Sequence, residues 1–554
     1  MDIFFRSVPV LLIFPTLAAL AWIRGGTQGD LLVPTVPWLL TLVFEVIICF
    51  PQRHYGEDAV QARQRCWRRI GRDPVFFLTL FFLVIVLGIP FLNQGLCPTC
   101  DYGEILMALE REGVNTSNLS LEEMLALIDD KAPNPLVPFA PFCVNLRHHF
   151  EVFMWFLPAL TAMLAARHAL LRPGKRMLVE MLVWNAAALA VFGFVQRATG
   201  AKFVMMWDQA EYDALVAAIN RPLTDINTGK PLWGYTVTPD SRFFATFGYP
   251  NMAGSFFMLA FALSLGVWMT RVREVEAERP PDKAEIARQR LLLRFLRAHY
   301  MLIPVMLNFL GALFTYSRMA IVTSLVMAAL AFIYYILRLL LARVDRARQV
   351  KRAAFSFVGA VLLLVAGVVF APEKVLDEVS NTGSHEAFNR LTGKNEYQAG
   401  IAMKLVKKYP AFGCGGWGYR HLCLNQMTQD EKAKINSMGP ANVHNDYLQF
   451  LCEHGIIGFG CLLGIFFCLI VPIFRDWGRL YRASRFLSPE NAPSSPRAIY
   501  CISPGIFWIL VGCFAVALHA VLDAPLRSGA VLSLFFVSLA CADGYLPHQF
   551  EARK

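Results

Sequence analysis

The chain of 554 residues is 56% hydrophobic and 13% aromatic, with a mean hydropathy of +0.46 and a formal net charge of +11. Its apolar residues come in long blocks, which excludes an ordinary soluble domain: about 20 mostly apolar residues cross the hydrocarbon core of a bilayer, and with no water there the spanning backbone must be helical or a closed barrel. The Lys and Arg excess sits in short connections between those blocks, the pattern that orients membrane proteins, so the charge argues against a nucleic-acid partner, and the expected fold is an all-α polytopic membrane protein with about 12 transmembrane helices.

In chain order, the N-terminal stretch MDIFFRSVPVLLIFPTLAALAW has the look of a signal sequence, but the spans that follow favour a retained first helix. Apolar segments are expected near 8–23, 31–50, 75–92, 150–166, 177–196, 250–270, 300–316, 319–341, 354–371, 448–474, 501–521 and 528–543. Six arginines fall in 51–74, four basic residues in 167–176, eight in 271–297, six in 338–352 and five in 475–497. These are alternate connections, so all five lie on the cytoplasmic side together with both termini. The outward connections are then 93–149, 197–249, the short turn at Ser317-Arg318, and 372–447, which is long enough for a helical subdomain. The expected organisation is 1–240 (five helices with two outer loops), 241–371 (helices six to nine), 372–447 (the large outer loop) and 448–554 (the last three helices and a tail). Within the outer loops, 120–130 opens with a capping-box pattern, and roughly 394–409 reads as a helix stopped by Pro410 and a GCGGWG turn.

Thirteen cysteines divide into eight in or beside apolar segments or basic loops and five in outer loops: Cys97, Cys100, Cys143, Cys414 and Cys423. An oxidising compartment allows disulfides among these five, with at least one thiol unpaired or paired between chains. The CPTC of Cys97 and Cys100 has no second pair near it and reads as a structural disulfide.

Three residues stand out chemically. Arg318, in TYSRMA, lies between two apolar segments with almost no loop. A guanidinium near lipid costs about 2.5–3.5 kcal/mol at a helix centre and so faces a cavity or a partner; at a helix start it joins free N–H groups that suit an anion. The plain alternative is a snorkelling interfacial arginine. Arg390, in FNRLTGKNEY, is by itself a surface residue, but paired with Arg318 it would grip a pyrophosphate from two sides. His444, in ANVHNDYLQFLCEHG, stands where a polar run meets a span, a place for a proton acceptor; its plain reading is a capping residue. Asn445, Asp446, Tyr447 and Gln449 are candidates to orient it or to bind sugar hydroxyls. His454 and His421 are rivals, and His519 sits one helical turn before Asp523. The outer loops contain no D-x-D pair, so the expected site needs no metal and no cofactor, with arginines supplying positive charge. No P-loop or dinucleotide fingerprint is present, which argues against an ATP-driven pump.

Three stretches, RFFATFGYPNMAG (242–254), TYSRMA (315–320) and FNRLTG…YPAFGCGGWG…NVHNDYLQFLCEHGIIG (389–458), resemble the O-antigen ligase family, and HAVLD (519–523) looks like that family's late segment. The resemblance covers roughly 240–545. It implies a GT-C-like membrane fold and transfer of a glycan from an undecaprenyl-diphosphate donor to an acceptor hydroxyl on the periplasmic face of the bacterial inner membrane, with inversion and without metal. The acceptor it implies first is the glycolipid lipid A–core, with a growing glycan (polymerase) or a protein (O-oligosaccharyltransferase) as alternatives. Membrane lipids are the remaining partner class. By resemblance His444, Arg318 and Arg390 are catalytic, and Arg242, Asn251, Asn445, Tyr447, Gln449 and His519 contact substrate. Ala245 and Tyr249 depart from the glycine and asparagine often found there. A reading of another class is a transporter or lipid-linked-glycan flippase, which would place its ionisable residues near mid-membrane on broken helices.

Overall fold

The computed structural model describes residues 2–22, 50–95, 135–198, 245–247, 250–277, 293–341, 398–423, 426, 442–485 and 503–546. Every expected apolar segment within these residues is helical; 31–50 and 354–371 lie outside them, as does the capping-box stretch 120–130. The protein is an all-α polytopic membrane protein. Its described residues hold seven helices long and apolar enough to cross a bilayer, with shorter apolar helices at Val8–Trp22, Arg318–Tyr334 and Gly529–Tyr545.

The main elements are α1 (Asp2–Trp22), α2 (Ala59–Ile70), α3 (Pro74–Phe81), α4 (Leu146–His168), α5 (Arg172–Ala198), α6 (Pro250–Ala277), α7 (Leu302–Phe314), α8 (Arg318–Leu341), α9 (398–408), α10 (Gly418–Leu422), α11 (Asp446–Arg485), α12 (Pro504–Leu522) and α13 (Gly529–Cys541). At the centre α6 packs along α12 and α7, and α13 packs along α4. The contact of α6 with α12 is close because small residues meet there, Ala262 against Gly512 and Gly266 against Gly505, as membrane helices require when packing rather than water exclusion holds them together. α2 is different: it is short, opens with a capping box at Asp58, and is strongly amphipathic, with Cys66 and Ile70 buried and Arg68 and Arg69 in its last turn.

A second, smaller core gathers at one end of the bundle, where Phe142, Val144, Ile401, Leu405, Tyr419, Leu422 and Val443 are buried together. This is a cap on the bundle, at the end expected to face outward. It holds α9 and α10, and the expected turn after Pro410 does more than end a helix. α11 is broken at Gly455, whose φ of 65° and ψ of −175° fall in a region open essentially to glycine alone. The turn fills the break. Cys414 and Gly415 donate their N–H groups to the carbonyls of Cys452 and Glu453 (3.1 and 2.8 Å), and Ile456 and Ile457 donate to the carbonyls of Pro410 and Ala411 (2.9 and 3.0 Å). A Cβ on Gly455 would come within 2.3 Å of the Ala411 oxygen. Gly455→Ala is therefore expected to destabilise the protein by about 1–3 kcal/mol from backbone strain alone, with the clash added, read as a lowered thermal midpoint in detergent.

Cys143, Cys414 and Cys423, three of the five cysteines expected in outer loops, are buried, and Cys143 and Cys414 are free thiols. Cys414 faces Cys452 of α11 across the same contact, with the sulfurs 3.9 Å apart. Cys97 and Cys100 lie outside the described residues.

Candidate active site

The break in α11 fixes what lies just before it. Asn445 caps the helix: its Oδ1 accepts from Leu448 N (3.0 Å), and its carbonyl accepts from Gln449 N (3.0 Å). His444 precedes the cap with φ +53°, a left-handed conformation that histidine tolerates better than most residues. That twist turns the ring away from α11 and toward the connection between α12 and α13. There His444 Nδ1 lies 3.1 Å from Asp523 Oδ1.

Asp523 is the hub of the site. Its Oδ1 also accepts from Ala524 N (2.8 Å), and its Oδ2 accepts from Asn251 Nδ2 at the start of α6. Burial pushes the carboxyl toward the neutral form, but the hydrogen bond and charge of His444, the charge of His519 and the Ala524 N–H outweigh it and hold Asp523 below the ordinary carboxylate value. An ionised Asp523 leaves the proton on Nδ1, so Nδ1 donates and Nε2 presents a lone pair. The stability this pairing adds is present above the ordinary aspartate pKa and is lost as pH falls through the lower value of the folded protein. His519, fully buried, has its Nδ1 2.6 Å from Ser255 Oγ on α6.

Exposure separates the histidines at this end. The His444 side chain is 43% exposed, whereas His148, His149, His421, His454 and His519 are buried. His454 sits among the rings of Phe82, Phe156 and Phe450. His149 bridges the Gly416 N–H and the Leu87 carbonyl. His421 lies 2.8 Å from His148, and burial together with the charges nearby lowers its pKa to about 3. These rings are packing and hydrogen-bonding elements; His444 alone among them meets solvent.

The TYSRMA turn reaches the same neighbourhood through α6. A Cβ on Gly254 would come within 2.8 Å of the Ser317 and Ala320 Cβ atoms and 3.0 Å of Thr315 Oγ1, so the bare glycine lets the turn sit against the helix turn that carries Asn251. Arg318, half-buried, is the first residue of α8. Arg390 and Arg242 lie outside the described residues, so their relation to His444 is not part of the geometry. Of the other expected contacts, Tyr447 donates its hydroxyl to the Ala517 carbonyl (2.8 Å). The buried Gln449 accepts from Val443 N and donates to Glu453. Both side chains are already engaged in holding the histidine's platform.

Beneath the pair lies a charged cluster that the sequence did not single out. Arg527, 1% exposed, donates to Glu453 Oε2 (2.7 Å), has its Nε 3.7 Å from Asp446 Oδ1, and lies over the Trp417 ring at 4.5 Å. Asp446, expected to orient His444, instead accepts from Leu526 N (2.8 Å) and faces Arg527. The signal available was Glu453, an ionisable residue inside a membrane-length segment, which calls for a buried partner.

The four non-glycine residues with left-handed backbone are Ala245, Tyr316, Trp417 and His444 among the described residues. Each lies in one of the stretches that carried the family resemblance. Strained conformations of this kind persist where surrounding structure over-determines them, and they cluster at functional sites. Ala245, at φ +52°, also explains the glycine often seen there, since glycine adopts that conformation without a Cβ penalty.

Residues 303–463 match the family model described as O-antigen ligase. The match runs from α7 to the part of α11 beyond its break, so it includes Arg318, Arg390 and His444 and stops before Asp523. A search among curated proteins finds no significant match to the chain.

Proposed function

Residues 303–463 match the family model described as O-antigen ligase, and on that premise we propose that the chain is an inner-membrane glycosyltransferase that moves a glycan from undecaprenyl diphosphate to an acceptor hydroxyl on the periplasmic face. Ligation to lipid A–core is the form of the reaction we favour. The observation that carries the reading is the His444–Asp523 pair: a solvent-reaching imidazole whose inner nitrogen is held by a buried carboxylate, at one end of the helix bundle.

In this mechanism His444 Nε2 takes the proton of the acceptor hydroxyl as that oxygen attacks the anomeric carbon. Asp523 fixes the tautomer and stabilises the imidazolium that forms. The bond to the diphosphate oxygen breaks from the opposite side, inverting the carbon, and undecaprenyl diphosphate departs with the electron pair. Arg318 and Arg390 oppose the charge that grows on it, the kind of prearranged electrostatics that usually supplies the largest catalytic share. A transporter would gather such groups at mid-membrane; His444, Asp523, Asn251 and Arg318 instead lie at helix ends.

A deletion strain tests the reading. The expected phenotype is long glycan that is still made, displayed on its polyprenyl carrier outside, and no longer attached to lipid A–core. Shortened chains would replace the ligase reading by a polymerase, and carrier-linked glycan stranded on the cytoplasmic side would overturn the enzyme reading.

A further inference from the structure

At the opposite end of the bundle from His444, a cleft of about 1100 Å³ opens between α2, the end of α4, α11 and the end of α13. Along α11 it lies twenty or more residues from Asp446, about 30 Å at the helical rise. The proposed transfer reaction makes no use of it. One wall is charged: Arg65, Arg68, Arg69 and Arg72 come from α2 and the turn after it. The other wall is apolar, with Phe467, Val471 and Ile473 of α11, and Phe467 and Val471 are more than half exposed.

The charges in this cleft do not balance. Each of its four carboxylates already has a cation: Glu57 pairs with Arg65, Asp73 with Arg167, Asp476 with Arg475 and Arg479, and Asp543 with Lys175. Arg68, Arg69 and Arg72 line the same space with no carboxylate in ion-pair contact among the described residues. Arg69 is held below the ordinary arginine value, by desolvation first and then by the charge of Arg65. Arg65 itself, fixed to Glu57 and to the Gln52 carbonyl, leaves its buried Nη1 without a hydrogen-bond partner.

We propose that this cleft binds the headgroup of an anionic phospholipid, its phosphate against Arg68, Arg69 and Arg72 and its acyl chains along Phe467, Val471 and Ile473. A free phosphate would satisfy the arginines but not the apolar wall, and a zwitterionic lipid would bring its phosphate together with a cationic amine that the three arginines repel; an anionic lipid satisfies both. The site sits at the level where a bundle of this charge distribution meets the cytoplasmic leaflet, and basic pockets between helices on that side are where acidic headgroups bind. It would tie the bundle's position in the membrane to lipid charge, at a distance from the chemistry.

The test uses the full chain, purified in a neutral detergent and then placed in nanodiscs of phosphatidylcholine alone or of phosphatidylcholine with phosphatidylglycerol. Phosphatidylglycerol is expected to raise the thermal midpoint where phosphatidylcholine does not, and millimolar inorganic phosphate is expected to have no effect in phosphatidylcholine discs. The triple variant Arg68→Gln, Arg69→Gln, Arg72→Gln should bind phosphatidylglycerol on the order of a hundredfold more weakly while keeping its midpoint in phosphatidylcholine. Should the variant not fold, native mass spectrometry of the wild-type chain decides: bound phosphatidylglycerol is expected to fall as salt rises. Lipid retention indifferent to salt, equal stabilisation by either lipid, or a triple variant that keeps its phosphatidylglycerol response would overturn the proposal. Stabilisation by inorganic phosphate equal to that by phosphatidylglycerol would reassign the cleft to a soluble anion.

Discussion

His444→Ala is expected to lower the rate of glycan transfer by about 10²–10⁴, the usual contribution of a positioned general base, in an assay of purified protein with lipid-linked glycan and acceptor. Binding of the donor should change little, because the imidazole acts on the acceptor oxygen. Asp523→Asn should also slow transfer, since a neutral amide no longer holds the proton on Nδ1 or stabilises the imidazolium. His454→Ala is the contrasting variant. Its ring is enclosed by phenylalanines, so its loss should appear as lowered stability, with transfer by the folded fraction retained. Near wild-type transfer by His444→Ala would remove the base from the mechanism and leave the family assignment untouched.

The second large effect is on stability. Arg527→Met is expected to cost about 3–5 kcal/mol, because it leaves the Glu453 carboxylate buried without its cation and removes the guanidinium that faces Asp446; both are 0% exposed. The thermal midpoint of the detergent-solubilised protein reads this directly. Glu453→Gln should cost less, since the amide still offers an oxygen to Arg527, although its NH2 then faces the NH2 of Gln449. A midpoint for Arg527→Met within a degree or two of wild type would mean that water reaches the cluster and that the charges are not buried as described.

Much of the fold was legible because the bilayer imposes one rule, a long apolar run per span, and the sequence obeys it. The segments expected at 150–166, 250–270 and 501–521 became α4, α6 and α12 with edges shifted by a few residues. His444 was legible for a related reason: a polar run beside a span is locally out of place. Asp523 was visible only as a residue one turn beyond His519; that it serves His444, seventy-nine positions earlier, depends on how α11 and α12 meet, which no local pattern encodes. The Arg527 cluster was harder still, since Asp446 reads as a neighbour of His444 in sequence yet points into the bundle. GCGGWG shows the same limit. It was recognisable as a turn from its glycines, but its hydrogen bonds into α11 are contacts between segments more than thirty residues apart.

That patched break bears on how the protein is built. Most membrane helices form as independent units and associate afterwards, each having satisfied its own backbone on insertion. The helix beginning at Asp446 is not self-sufficient in its observed, broken shape. In a straight helix the amides of Ile456 and Ile457 would bond the carbonyls of Cys452 and Glu453; in the broken shape all four depend on the partners that 410–415 provide. The supplying segment precedes the helix in the chain, so it is translated first and is present when the helix emerges. Assembly at this point is closer to docking a strand than to packing two finished helices, and the cap acts as the template on which the helix after His444 takes its final shape.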